Sequence, residues 1–393
     1  MTRYFPLDEY ESRWARVQRE MRLRGFPVAV VLGRSGGSHD HCGDVLYLAN
    51  HYAVSSGLDS RLWSARSFAG VILEDGQLPE LHIDEPDPRL DILATDRVSW
   101  HYHPIRGIAE ALRRRGVTGP VALVGTNFLP VKYYAELQEL CPGITWVPAD
   151  DLVRTVRRVK SPSELDCCRE AGDIASAGLT RLMEGLARGL PEAQAAADAA
   201  QVVIRRGGRI QLLGCTHGDT IGHLCRNPLT GYSQDAPASG DLVSGVVHGP
   251  MHQGYYMDPA RTWVAAGRPT TAQRMLVEAT GDLVRRLIDA IKPGVRLIDV
   301  ARLGDRLTRE FGGDASPATQ TFPFYGHGVG LFFEEPRIGT GLSDEDDVFE
   351  AGMVLGVEAF LARDGVGSTS VEDNVIVHAD HNELLTTTPL YCW

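Results

Sequence analysis

Three acidic side chains in the second half of this chain stand inside apolar, strand-like runs. Asp258 follows Gly254-Tyr255-Tyr256-Met257, and Glu358 ends Gly352-Met353-Val354-Leu355-Gly356-Val357. Glu372 lies in Val371-Glu372-Asp373-Asn374-Val375-Ile376-Val377. A carboxylate in such a run is costly to bury unless it is paired, protonated or bound to a metal. One histidine, in Tyr325-Gly326-His327-Gly328-Val329-Gly330, sits among glycines ahead of a further apolar stretch. Taken singly, each residue has an ordinary explanation. Glu358 can pair with Arg363, Glu372 can sit at a sheet edge, and His327 can be satisfied in a loop. Four together, each on a separate β segment, point to one shared site. Three carboxylates and one imidazole suit a hard or borderline cation such as Mn²⁺, Fe²⁺, Co²⁺ or Zn²⁺.

The rest of the chain must therefore supply a sheet that gathers those segments. Its 393 residues exceed one ordinary core and suggest two domains. Residues 10–145 alternate helical and strand-like patterns. Tyr10–Arg24 reads as a helix, Val28–Leu32 as a strand buried on both faces, and Val45–Leu48 and Phe68–Leu73 as further strands. Ile105–Arg115 and Lys132–Leu140 read as helices around a strand at Val121–Val124, which makes an α/β domain with a mixed or parallel sheet. The boundary falls near 150–160, giving domains 1–155 and 156–393. There Ser161-Pro162-Ser163-Glu164 has the form of a capping box opening a long helix. Helices follow at about 191–206, 271–291 and 297–311, the last stopped by Gly312-Gly313. Strand patterns cover Gln211–Gly214, Leu242–Val247, Tyr255–Val264, Met353–Phe360 and Val371–Val377. Two rounds of helix, helix and strand pair look like an internal duplication.

A net charge of -12 argues against non-specific binding to nucleic acid or to an anionic membrane. No apolar run approaches the ~20 residues of a spanning helix, and the N-terminus lacks a signal-peptide stretch, so the expected compartment is the cytoplasm. The seven cysteines are scattered without a CxxC pair and read as reduced thiols.

The pattern resembles the creatinase, prolidase and aminopeptidase P family, whose catalytic domain has the pita-bread fold. The resemblance spans a creatinase-type N-terminal domain, the junction VRRVKSPSELDCCREA and all four acid or histidine segments in order. It implies an α/β N-terminal domain followed by an α+β pita-bread domain with an internal pseudo-twofold repeat. The family holds two metals through Asp, Asp, His, Glu and Glu. By position, Asp258, His327, Glu358 and Glu372 match the last four.

The first Asp of that set is missing. Its slot, eleven residues before Asp258, is Val247, followed by His248-Gly249. One residue more than the usual spacing between Asp241 and Gly254 calls for a bulge, which could re-aim His248 as a replacement ligand; a solvent-facing or substrate-facing His248 is the other reading. The resemblance therefore implies one divalent ion per subunit, held by Asp258, His327, Glu358 and Glu372, with a position open to water or substrate. The peptidase histidine seven residues after the metal histidine is Glu334 here, and the arginine two residues before the last glutamate is Ser370. For the further peptidase histidine only His217 and His223 are available. Asn227-Pro228-Leu229-Thr230 resembles a creatinase stretch, with Arg226 where creatinase has its catalytic histidine and Ala260 where it has its catalytic glutamate. Ala65-Arg66-Ser67-Phe68 resembles the creatinase segment whose arginine binds the substrate carboxylate, in a homodimer where one N-terminal domain covers the partner's site. Asp40-His41-Cys42-Gly43-Asp44 reads as a polar loop more than as a second metal motif.

The catalytic candidates are thus Glu358, Glu334, His223 and His248, and the substrate-binding candidates Arg66, Arg337, Arg226 and His252. The leading function is metal-dependent hydrolysis of an amide-type C–N bond in a small carboxylate-bearing substrate, with Glu358 or Glu334 relaying a proton to the leaving nitrogen. Xaa-Pro dipeptides are one possible substrate. The alternatives are a metal-dependent lyase of the dimethylsulfoniopropionate type, a metal-free creatinase-like amidinohydrolase and a non-catalytic binding protein. Intact Asp258 and Glu372 speak against the metal-free form, because those acids would repel one another.

Overall fold

The computed structural model describes residues 4–35, 41–53, 65–312 and 322–393. Asp40 and Gly313 lie outside them. The chain divides into two compact units, Met1–Arg157 and Arg158–Trp393.

The first unit opens with a charged amphipathic helix, α1 (Leu7–Leu23), which buries Tyr10, Trp14, Val17 and Met21 at helical spacing. Its strands are β1 (Val28–Arg34), β2 (Phe68–Glu74), β3 (Glu80–Ile83), β4 (Val98–Trp100), β5 (Gly119–Val124) and β6 (Ile144–Pro148). They form one sheet in the order β4-β3-β2-β1-β5-β6. The sheet is mixed: β1 runs antiparallel to β2 and parallel to β5. Four more helices accompany it, α2 (Gly43–Ala49), α3 (Pro104–Arg114), α4 (Val131–Leu140) and α5 (Asp151–Arg157). Central β1 is buried along nearly its whole length, which is why Val28–Leu32 is apolar without alternation.

Val45–Leu48 is helical, contrary to the strand expected there. Four apolar residues fit either period, and length alone could not arbitrate. Val45, Tyr47, Leu48 and Ala49 are all buried within α2, and Asn50 closes it in the left-handed region at φ 52°. Asp44, in its first turn, makes a buried 2.5 Å ion pair with Arg157.

The second unit begins at α6 (Pro162–Ala187), where the Ser161–Glu164 capping box forms as expected. Then come α7 (Glu192–Arg205), β7 (Leu212–His217), β8 (Leu242–His252), β9 (Tyr255–Met257) and β10 (Ala260–Val264). The second round is α8 (Thr271–Ala290), α9 (Leu297–Glu310), β11 (Gly326–Val329), β12 (Phe333–Arg337), β13 (Val354–Arg363) and β14 (Gly367–Val377), with β15 (Asn382–Leu384) after it. The strand order β12-β11-β13-β14-β10-β8-β7 places the two rounds side by side, with their seam at β10–β14. Helix α8 packs on β13 and β14, closing a core of Leu276, Leu283, Leu287, Leu355, Val357 and Val375. Helix α6 covers β8, and Gly178 lets Val247 and Val203 come close to its backbone.

The expected Tyr255–Val264 strand is interrupted at Asp258-Pro259, so β9 and β10 are separate. Proline has no N–H to continue a ladder. The bulge anticipated before Gly254 sits between Pro250 and His252: Gly249 faces Met257, Pro250 faces Tyr256, and His252 faces Tyr255, with Met251 the extra residue. Among the described residues, no helix is long and apolar enough to cross a membrane.

Candidate metal centre

All four expected ligands converge at the seam. Asp258 stands at the break before β10, Glu372 on β14 faces Ala260 across the seam, Glu358 on β13 faces Glu372, and His327 on β11 faces Gly356. Each is almost completely buried. Two glutamates opposite one another on adjacent strands repel unless something positive or a proton lies between them.

The imidazole Nε2 of His327 lies 3.4 Å from Asp258 Oδ2, 3.6 Å from Glu372 Oε1 and 3.8 Å from Glu358 Oε1. These spacings suit donors arranged around an ion, since the edges of a tetrahedral shell with bonds of about 2.1 Å are about 3.4 Å long. Asp258, His327 and Glu372 each offer an atom within 4.8 Å of the other two. His327 Nδ1 lies 3.0 Å from the Gly328 carbonyl. A proton on Nδ1 donated to that oxygen leaves Nε2 as a lone pair aimed into the cluster. Glu372 Oε1 is buried without a hydrogen-bond partner among the described residues. An orphaned carboxylate oxygen facing an imidazole lone pair and two further carboxylates is what a cation site requires.

Gly356 leaves room for this arrangement. A Cβ there would lie 2.6 Å from Glu372 Oε1 and 3.3 Å from both Asp258 Oδ1 and His327 Cε1. Burial, then the charge of Asp258, pushes Glu358 up to about 8, with Arg337 opposing. Burial, Asp258 and Glu358 together push Glu372 well above the usual carboxylate range. With no cation, the cluster holds protons; a bound cation replaces them.

The remaining candidates divide. Arg337 is the cross-strand partner of His327, and its guanidinium carbon lies 5.4 Å from the Phe324 ring centre and 6.0 Å from that of Phe333. It has no ion pair among the described residues. His248 is buried and stacks on Phe333 at 4.6 Å, and Phe333 meets His327 edge to face at 4.6 Å. It therefore faces this aromatic wall and not solvent, while Val247 turns to the helices. His252 is half-buried at the bulge. Glu334 forms a buried 2.8 Å ion pair with Lys160 and accepts from the Leu331 N–H at 3.0 Å. His223 is exposed in the excursion between β7 and β8, where Arg226 pairs with Asp219 and Asp235. His217 pairs with Glu192 at 2.7 Å. Arg66, in the first unit, pairs with Asp84 at 3.2 Å.

Sequence reasoning did not single out Asn374, Lys160 or the Phe324–Phe333 wall. Asn374 carried one signal: two residues beyond Glu372, it shares that residue's face of the strand.

Comparison with known proteins follows the same lines. Residues 166–379 match the family described as "Metallopeptidase family M24". The "Probable dipeptidase PepE" of Mycobacterium bovis is 30% identical over 262 residues, 66% of this chain and 67% of that protein. The "Xaa-Pro dipeptidase" of Lactobacillus delbrueckii subsp. lactis is 29% identical over 282 residues, 70% and 73% of the two chains. Among solved structures, dipeptidase PepE from Mycobacterium ulcerans superposes with a TM-score of 0.77 at 23% identity, covering 98% of each chain. The prolidase from Pyrococcus horikoshii OT3 gives 0.76 at 19% identity, covering 96% of this chain and 99% of its own.

Proposed function

The chain belongs to the M24 metallopeptidase family, and on that premise we propose that this metal-dependent hydrolase uses a single ion to cleave an amide-type C–N bond in a small, carboxylate-bearing substrate. The ligands in this reading are Asp258, His327, Glu358 and Glu372. A divalent ion held by them supplies Lewis-acid polarisation of a carbonyl and a nucleophilic water near neutral pH.

The chain's own residues do the rest. Glu358, placed among the donors on β13 opposite Glu372, is positioned to take a proton at its carboxylate and pass it to the leaving nitrogen. Glu334 is less suited, because Lys160 and the Leu331 N–H already engage its two oxygens. Phe324 and Phe333 shield the cluster from water on the Arg337 side. One ion fits better than two because neither Val246 nor Val247 carries a donor in its side chain, while His248 is stacked on the ring of Phe333.

The observation that carries the substrate class is Arg337, a guanidinium on aromatic rings beside the donors with no ion pair among the described residues. A bidentate fork at that place suits a carboxylate about one small molecule away from the scissile bond. The relatives named Xaa-Pro dipeptidases make Xaa-Pro dipeptides the first panel to assay. Free dipeptides should be turned over and their C-terminal amides should not. Arg337→Met should raise KM for the free acid by about 10–100-fold, the loss of one charged hydrogen-bonded pair. Equal turnover of acid and amide contradicts the reading. The assembly that goes with it is a homodimer, measurable by light scattering.

A further inference from the structure

The backbone N–H of Asp258 and its side chain meet the same residue. Asn374 Oδ1 accepts from the Asp258 N–H at 3.2 Å, and Asn374 Nδ2 donates to Asp258 Oδ1 at 2.7 Å. The two contacts fix the amide's orientation between them. Only its oxygen can face an N–H, so its nitrogen must face the carboxylate.

Asn374 is itself immobilised. It is 1% exposed, its N–H donates to Thr386 Oγ1 at 2.9 Å, and its carbonyl accepts from the Leu385 N–H at 2.8 Å. On β14 it lies two residues beyond Glu372, so one strand delivers a cluster carboxylate and the clamp on its neighbour. The consequence falls on Asp258. Oδ1 is taken, and Oδ2 is the oxygen that lies 3.4 Å from His327 Nε2.

We infer that Asn374 is a positioning residue that holds Asp258 through Oδ1 with Oδ2 turned to the cluster, and so sets the site's affinity for its ion. A hydrogen bond to Oδ1 fixes the plane of the carboxylate and weakens that oxygen as a donor, so Oδ2 is the oxygen favoured for the cluster. Outer partners of this kind orient a ligand, and losing one typically costs about 10–100-fold in metal affinity. This rests on the reading of the cluster as a metal site.

The test removes the donor while keeping the volume. Apo-protein is titrated with Co²⁺ and Mn²⁺ in competition with a chelator, for wild type, Asn374→Leu and Asn374→Ser, each checked for folding by circular dichroism. The expected result is about one ion on wild type, binding weakened about 10–100-fold in either folded variant, and a changed visible Co²⁺ spectrum. A serine too short to reach Oδ1 gives the same reading if the leucine variant does not fold. Either variant binding within about twofold of wild type, with an unaltered Co²⁺ spectrum, overturns the inference alone, since that is what a structural role predicts. A wild-type protein that takes up neither ion removes the metal reading and this inference with it.

Discussion

Gly356 occupies a position where any side chain would collide with the donors it separates, because Glu372 Oε1 lies 2.6 Å from where its Cβ would be. Gly356→Ala should therefore leave the fold intact and weaken metal binding by at least about tenfold, as expected when a ligand shell is displaced. Isothermal titration with Mn²⁺ checks this, and unchanged affinity would show that the cluster does not bind as a unit. The acids make a second prediction at this scale. Glu358 has its carboxyl raised to about 8 from 4.5, so the folded apo-protein binds more protons than the unfolded chain between those values. This contribution to stability is full below about pH 4.5 and is lost as pH rises through about 8. The apo melting temperature should fall across that window, and Glu358→Gln should flatten the decline. Identical pH profiles for the two proteins would contradict it. The four residues of the cluster were legible in sequence because each is an expensive acid or a lone histidine in an apolar context. Asn374 was not, because a buried asparagine is satisfied by whatever it touches, and its partner lies 116 positions away in sequence.

The hairpin of β11 and β12 carries His327, Phe333, Glu334 and Arg337, and a buried ion pair ties it to the residue before α6's cap. Glu334→Leu alone strands the Lys160 ammonium, and should cost about 3–5 kcal/mol in urea unfolding. Adding Lys160→Met should restore most of that loss, because an apolar pair can replace a buried ionic one. A double variant no more stable than the single would assign Glu334 a role beyond the pair. Elements with long, strongly periodic patterns were readable: α6 announced itself by Ser161, Pro162 and Glu164. Short apolar runs were not. Val45–Leu48 became a helix because its burial on both sides removed the alternation that separates the two periods. The extra residue before Gly254 foretold a bulge, but only strand pairing could place it at Met251.

Across the second unit, duplication explains why the centre lies where it does. Two rounds of helices and strands meet at β10 and β14, and the first round supplies Asp258 while the second supplies His327, Glu358 and Glu372. The repeat and the order of the ligand segments could be read from the chain. The pairing across the seam could not, since its contacts join residues more than a hundred positions apart. The stretch Gly245–Gly249 carries no acid, so the first round brings one residue, Asp258, to the cluster and the second brings three. The most direct measurement is metal content by mass spectrometry, on protein purified without chelator and reloaded with Mn²⁺ or Co²⁺. The account predicts about one ion per chain for wild type and almost none for Asp258→Asn. Two ions per chain, or an undiminished load in Asp258→Asn, would contradict it.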